Sequence, residues 1–438
     1  MGSYLPATEP ERQTMLSGLG LNGPEDLFDC VPKAVRLSAP PEGLPGPRSE
    51  LEVRRLMEGL AAKNTVFPTI LRGAGAYRHY IPAAVSAIAA KEEFVTAYTP
   101  YQAEISQGVL QSIFEFQTMI CELTGLDAAN ASVYDGASAA AEAVAMCRDR
   151  KRGRVYLSAA VHPDVIATVR TYCFGSRAEL EILPVRDGVT DLEALRAALG
   201  ADAACVLIQQ PNFFGALEPC GEIADIVHAA GAKLIMSVNP AALGVLKSPG
   251  ACGADIAVGE GQPLGIPLSW GGPYLGFMAA SQSLMRRLPG RIVGETRDSR
   301  GERAFVLTLQ AREQHIRREK ASSNVCSNEA LCALTASVYL SLMGPDGLRQ
   351  VGEQCHAKAH YLAAELCRLP GVSLRYPGPF FHEFVTDLPE PQKVLSALES
   401  RGILGGWPVE GGLLWCATEK QSRAELDEAV SIVKEVLD

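Results

Sequence analysis

Tyr98 and Tyr101 stand on either side of Thr-Pro in the segment Ala97-Tyr-Thr-Pro-Tyr-Gln-Ala-Glu104. Pro100 disfavours helix at the residue before it, so the segment reads as an extended, exposed turn. Phenols at a loop tip stack on rings, donate hydrogen bonds or relay protons; they also simply pack loops, and both readings fit these residues. Gln102 and Glu104 add an amide and a carboxylate to the same turn. A second candidate is Asp135-Gly-Ala-Ser138 at the head of an Ala-rich run. Such a turn opening a helix cradles a phosphate through its backbone amides, or serves packing alone. Third is the basic run Arg312, His315, Arg317, Arg318 and Lys320. It is suited to a phosphate or carboxylate, to subunit salt bridges, or to a solvated face. His356 and His360 are one helical turn apart without a third ligand nearby, so no metal centre is expected.

These residues need a scaffold, and the hydrophobic pattern supplies one. Strands are predicted at 155–158, 180–185, 205–208, 233–238 and after 254, separated by helices at 163–173, 190–200 and 222–230. Short apolar runs alternating with helices indicate βαβ crossovers and a mostly parallel sheet, an α/β fold. Thr190-Asp-Leu-Glu193 and Ser422-Arg-Ala-Glu425 read as capping boxes. His162 follows the first strand, and Gln209-Gln-Pro-Asn-Phe-Phe-Gly215 closes the third, at the sheet edge where ligands gather. A helix over 105–123 places Val109, Ile113, Phe116 and Ile120 on one face, which is either core or a face for a partner. After 327, two long helices (328–342 and 345–369) and short strands indicate an α+β domain. The expected organisation is an arm over 1–68 with a Pro/Gly-rich spacer, a large domain over 69–326 and a small domain over 327–438.

A net charge of −10 argues against nucleic acid or an anionic membrane surface as main partner. The twelve cysteines show no Cys-x-x-Cys and no metal spacing, which reads as reduced thiols. No signal peptide and no stretch suited to spanning a bilayer is recognised, so a cytoplasmic location is expected.

Three long segments carry a family resemblance: 97–110, Ala129-Asn-Ala-Ser-Val-Tyr-Asp-Gly-Ala-Ser-Ala-Ala-Ala-Glu142, and Leu307-Thr-Leu-Gln-Ala-Arg-Glu-Gln-His-Ile-Arg-Arg-Glu-Lys-Ala-Ser-Ser-Asn324. With Pro289-Gly-Arg-Ile-Val-Gly-Glu-Thr296, they resemble the P-protein of the glycine cleavage system, glycine dehydrogenase (decarboxylating). The length matches the N-terminal of the two half-chains, subunit 1. The resemblance implies the aspartate-aminotransferase-like fold type I of enzymes using pyridoxal 5′-phosphate (PLP). It also implies decarboxylation of glycine together with subunit 2, in two copies of each, and transfer of the aminomethyl group to the lipoyl arm of H-protein. In that fold an Asp pairs with the pyridinium nitrogen, and about 25 residues on a Lys holds the cofactor. Here Val238 and Gln262-Pro263 occupy those places, while Lys233 and Lys247 are badly positioned to substitute. The cofactor is therefore expected on the partner, with no cofactor ligand on this chain. Tyr98, Tyr101, Gln102 and Glu104 are expected to complete the partner's site.

Overall fold

A computed structural model describes residues 6–37, 39, 41–310, 313–321, 323–325 and 328–438. The chain divides into two units, Met1–Val66 and Phe67–Asp438. The first unit carries the helices Glu9–Gly18 and Glu50–Ala61. Ser49 caps the second helix, its hydroxyl accepting the Glu52 N–H while the Glu52 carboxylate accepts the Ser49 N–H. The described residues of the Pro/Gly-rich spacer at 39–47 form neither helix nor strand.

The second unit is built on a seven-stranded sheet. In chain order its strands are β1 (Ala128–Ala129), β2 (Arg154–Ser158), β3 (Leu180–Leu183), β4 (Ala203–Gln210), β5 (Lys233–Val238), β6 (Ile256–Glu260) and β7 (Gly276–Ala280). The spatial order is β1-β7-β6-β5-β4-β2-β3. β2 to β6 run parallel, β7 lies antiparallel to β6, and β1 pairs antiparallel with β7 and so shares the direction of the parallel set. Both faces are covered, which explains the near-continuous apolar runs. Val155, Leu157, Cys205, Leu207 and Ile235 pack with the helices Gly136–Cys147 and Pro163–Ser176 on one side. Tyr156, Val206, Leu234 and Met236 pack with Phe116, Ile120, Ile223 and Val227 on the other. Register sets Gln210 opposite Val238, so the carboxyl ends of β4 and β5 open on the same edge.

The predicted strand over 180–185 stops at Leu183, because Val185–Arg186 turns to pair with Val189–Thr190. The expected capping box at Thr190 does not form: Asp191 is the cap, accepting the Glu193 and Ala194 N–H groups at 2.9 and 3.1 Å. Thr190 is turned inward instead, and its hydroxyl donates to Ser158 Oγ at 2.8 Å. The Ser422–Glu425 box forms as expected.

The helix read over 105–123 spans Gln107–Thr124 and ends at Gly125, whose φ of 67° supplies a left-handed cap. Its Ile113, Phe116 and Ile120 are buried in this chain's own core and Val109 is partly buried against it, so this face is not free for a partner. The hairpin Ile292–Arg297 and Arg303–Thr308 packs on it through Val293 and Phe305.

The two helices expected after 327 form one rod, Ala330–Leu366, broken at Gly344 (φ 61°) before Pro345, which cannot donate a helical N–H. Contrary to the sequence reading, this rod is long and apolar enough by composition to cross a membrane. Its break, and the burial of Cys332, Ala333, Ala336 and Tyr339 in the large core, make it a core helix. Beyond it lies a four-stranded antiparallel sheet ordered Ser373–Leu374, Glu383–Asp387, Gly412–Cys416, Trp407–Val409, with helices Pro391–Ser400 and Arg423–Leu437. This core closes around Trp415, whose indole donates to Thr386 Oγ1 at 2.8 Å. The expected boundary at 326 and 327 lies outside the described residues.

Candidate functional site

The carboxyl ends of β4, β5 and β6 surround a cavity of about 380 Å³ that also takes in Asp135, Gly136, His162 and Tyr274. Open α/β sheets hold ligands at such an edge. Each feature that would hold PLP is taken up otherwise. Val238 presents an apolar side chain where a pyridinium needs a carboxylate. Gln262 is buried: its Oε1 accepts the Tyr77 N–H at 2.9 Å, and its Nε2 donates to the Tyr77 and Ile266 carbonyls at 2.9 and 2.8 Å. The amide thus staples two loops together, and Pro263 beside it carries no amine.

The helix mouth is also closed. Asp135 caps Gly136–Cys147 by accepting the Ser138 N–H at 2.7 Å. Glu260 Oε2 accepts the Gly136 N–H at 3.0 Å, while Oε1 accepts the Gln262 and Leu275 N–H groups at 3.0 and 2.9 Å. The approach is close enough that a Cβ on Gly136 would lie 2.8 Å from the Glu260 nitrogen. Burial pushes the Glu260 carboxyl up to about 7 against the pull of those three donors. A carboxylate therefore stands where a phosphate would dock, with Asp135 adding negative charge beside it. His162 is occupied too: Nε2 donates to the Ala74 carbonyl at 2.9 Å, Nδ1 accepts the Asp164 N–H at 3.1 Å, and the ring meets Phe213 edge-on. Gln209 and Gln210 clamp backbone, accepting the His162 and Glu218 N–H groups. These residues do not fit PLP.

Tyr98, Tyr101, Gln102 and Glu104 lie at a different place. Their loop is exposed, Tyr98 at 87% and Tyr101 at 57%. It borders a second cavity of about 300 Å³ lined by Phe94, Tyr98, Ile113, Arg291, Asn328 and Leu331. Arg291 is only 5% exposed. Its guanidinium reaches the Tyr101 hydroxyl at 3.4 Å and Asn328 Oδ1 at 3.3 Å, and lies 5.5 Å from the Tyr101 ring centre. Asn328 Nδ2 donates to Ser132 Oγ at 2.7 Å, Asn130 Nδ2 to the Pro289 carbonyl at 3.0 Å, and the Ala131 N–H to the Arg291 carbonyl at 2.8 Å. The segments 97–110, 129–142 and 289–296, far apart in sequence, meet here, with Asn328 just beyond 307–324.

Arg291 was not singled out from the sequence. The available signal was a charged residue entering an apolar strand beside Pro-Gly. The basic run fares differently. Arg312 lies outside the described residues, while His315, Arg317, Arg318 and Lys320 are exposed and line neither cavity. His360 stacks on Phe380 with ring centres 3.8 Å apart, a packing role. Sequence reading also missed His79, Cys355 and Glu419, whose donor atoms lie within 4.8 Å of one another. They form a hydrogen-bonded set, with His79 Nδ1 2.7 Å from Glu419 Oε2 and Cys355 Sγ 3.5 Å from the same oxygen.

Comparison with known proteins adds the family. Residues 2–433 match the family model described as glycine cleavage system P-protein. A relative from Moorella thermoacetica, named probable glycine dehydrogenase (decarboxylating) subunit 1, is 51% identical over 444 residues, covering 99% of this chain and 100% of the relative. A protein of the same name from Geobacillus kaustophilus is 48% identical, with 98% of each covered. Among solved structures, an inhibitor-bound glycine decarboxylase (P-protein) of the glycine cleavage system matches with TM-score 0.94 and 46% identity over all of both chains. A sphingosine-1-phosphate lyase from Burkholderia pseudomallei matches with TM-score 0.65 at 14% identity, over 92% of this chain and 94% of the lyase, a likeness of fold alone.

Proposed function

The chain belongs to the glycine cleavage system P-protein family, and from that premise we propose that its Tyr98–Glu104 loop closes an active site whose cofactor is held by the partner subunit. The protein is a subunit of glycine decarboxylase, with the fold of the PLP-dependent fold type I enzymes. One observation carries the division of labour. The cavity at the sheet edge is closed to PLP by Val238, Gln262 and Glu260, whereas the tyrosine loop lies exposed beside a cavity of its own.

In this reading PLP on the partner's lysine supplies the electron sink when glycine loses CO2, and the lipoyl arm of H-protein takes the aminomethyl group. This chain's residues supply the surroundings. The Tyr98 and Tyr101 hydroxyls donate hydrogen bonds and move protons at the reacting amino acid; Gln102 and Glu104 extend the polar rim. Val95, Ile105 and Leu331 are exposed apolar side chains around the same loop and cavity. A partner covering them would expel water from the site and strengthen every polar contact within it. Two copies of each subunit, in the cytoplasm, complete the proposal; the described cysteines are all free thiols, in keeping with that compartment.

The test is reconstitution. The chain alone should catalyse no glycine–bicarbonate exchange, and its mixture with subunit 2 and PLP should catalyse it. Exchange by subunit 2 alone at the same rate refutes the assignment.

A further inference from the structure

Arg291 is a buried cation that no carboxylate balances among the described residues. Among the described residues its side chain meets the Tyr101 hydroxyl and ring and Asn328 Oδ1, while Nε has no partner. A guanidinium carries five N–H donors in a rigid fork. Two contacts use it, at 3.3 and 3.4 Å, longer than the usual range for such bonds. An uncompensated charge away from water is strongly unfavourable, and arginine's fork matches a carboxylate through two parallel bonds.

The position is built to hold that charge in place. The Ala131 N–H takes the Arg291 carbonyl, and Asn130 holds the preceding Pro289 carbonyl, so the backbone is pinned just ahead of the strand Ile292–Arg297. The side chain then lines the 300 Å³ cavity beside Tyr98. The cavity is concave and the guanidinium recessed, which suits a small-molecule oxyanion better than an acidic side chain on a flat docking surface.

Resting on the reading that the tyrosine loop closes the partner's site, we propose that Arg291 is the receptor for the carboxylate of the substrate amino acid. The guanidinium at the cavity wall pairs with the carboxylate, while Tyr101 and Asn328 keep its plane fixed. The grip sets the direction of the bond from carboxylate to α-carbon, the bond that breaks. Neutral CO2 then leaves with no charge to retain it. Arg291 would thereby select an amino acid over the same amine without its carboxylate.

The test uses the complex reconstituted with subunit 2 and PLP, comparing wild type with Arg291→Gln and Arg291→Lys. Cofactor absorbance is titrated with glycine and with methylamine, which is glycine without its carboxylate. Wild type should prefer glycine. Arg291→Gln should weaken glycine by about tenfold or more, about 1.4 kcal/mol, and leave methylamine unchanged. Arg291→Lys keeps the charge but not the fork, and should fall between; it carries the test if the glutamine variant does not assemble.

Equal weakening of glycine and methylamine would mean a structural role and overturn the proposal. So would unchanged glycine affinity with weaker PLP retention in equilibrium dialysis, which would make the cofactor phosphate the oxyanion. If Tyr98→Phe and Tyr101→Phe slow exchange while Arg291→Gln keeps the glycine preference, only this inference fails. If none of the three variants has an effect, the active-site reading of the loop fails with it.

Discussion

The Glu260 carboxylate accepts the Gly136 backbone N–H at 3.0 Å, at the mouth of the helix Gly136–Cys147 beside the sheet-edge cavity. The same carboxylate takes two more backbone donors, from Gln262 and Leu275. Glu260→Ala would leave all three without an acceptor, and an unmet buried donor costs about 1–3 kcal/mol. The variant should lose at least about 2 kcal/mol of stability and gain a response to inorganic phosphate. Thermal unfolding with and without millimolar phosphate checks both. A phosphate-dependent rise in wild type equal to the variant's contradicts the plug.

No lysine of this chain should capture PLP. Lys233 Nζ is engaged by Asp255 Oδ1 at 2.9 Å, and Lys247 is exposed away from the sheet-edge cavity. Borohydride treatment of the isolated chain with PLP, followed by mass spectrometry, should give no stoichiometric pyridoxyl adduct. An adduct at full yield on any lysine would restore a self-contained enzyme.

Tyr98→Phe and Tyr101→Phe remove one hydroxyl each from an exposed loop, Tyr101's being also in contact with the buried Arg291 at 3.4 Å. Each should lower glycine–bicarbonate exchange by roughly tenfold, about 1.4 kcal/mol of transition-state stabilisation, with subunit association intact. Wild-type rates in both variants would leave the chain a scaffold.

Ile105 is 81% exposed on the same loop. Obligate interfaces commonly bury more than about 2,000 Å², and a charge within their apolar part is poorly tolerated. Ile105→Asp should therefore weaken association with subunit 2 by about tenfold or more, about 1.4 kcal/mol, while leaving this chain's own melting temperature unchanged. Sedimentation of equimolar mixtures measures the first quantity and calorimetry the second. Undiminished association would place the interface elsewhere.

Glu383 gives a pH signature. It is buried, with Oε2 accepting the Tyr77 hydroxyl and Oε1 the Ala74 N–H, both at 2.7 Å, and burial pushes its carboxyl up to about 7. The folded chain then holds this proton more tightly than the unfolded chain. The associated stability is complete below the unfolded carboxylate's ordinary value of 4.5 and is lost as pH rises through about 7. His382, pushed down to about 3 by burial, acts in the opposite sense, so a difference measurement is needed. Relative to Glu383→Gln, wild type should lose up to about 3 kcal/mol between those pH values. Urea unfolding of both proteins across the range checks it; a flat difference would contradict the raised value.

The sequence by itself determined the α/β alternation, the mostly parallel sheet and the turn at Asp135-Gly136 into an Ala-rich helix, and it shows Val238 and Gln262-Pro263 as residues that are neither Asp nor Lys. Those features rest on local pattern: apolar runs of strand length, a glycine turn ahead of an Ala-rich run, and residue types that cannot hold a pyridinium or an aldehyde. The exposed Tyr98–Tyr101 turn was likewise legible, because proline restricts the residue before it. What fills the vacated places was not legible. Gln262 reaches Tyr77 and Ile266, and Glu260 reaches Gly136, through contacts that exist only once β6 lies beside the helix Gly136–Cys147. The helix face through Ile113, Phe116 and Ile120 shows the same limit: periodicity finds an apolar stripe, but only packing decides whether it meets the chain's own core or a partner. Arg291 is the clearest case. Its isolation from any described carboxylate and its contact with Tyr101, 190 residues away, arise from segments that only the tertiary fold brings together.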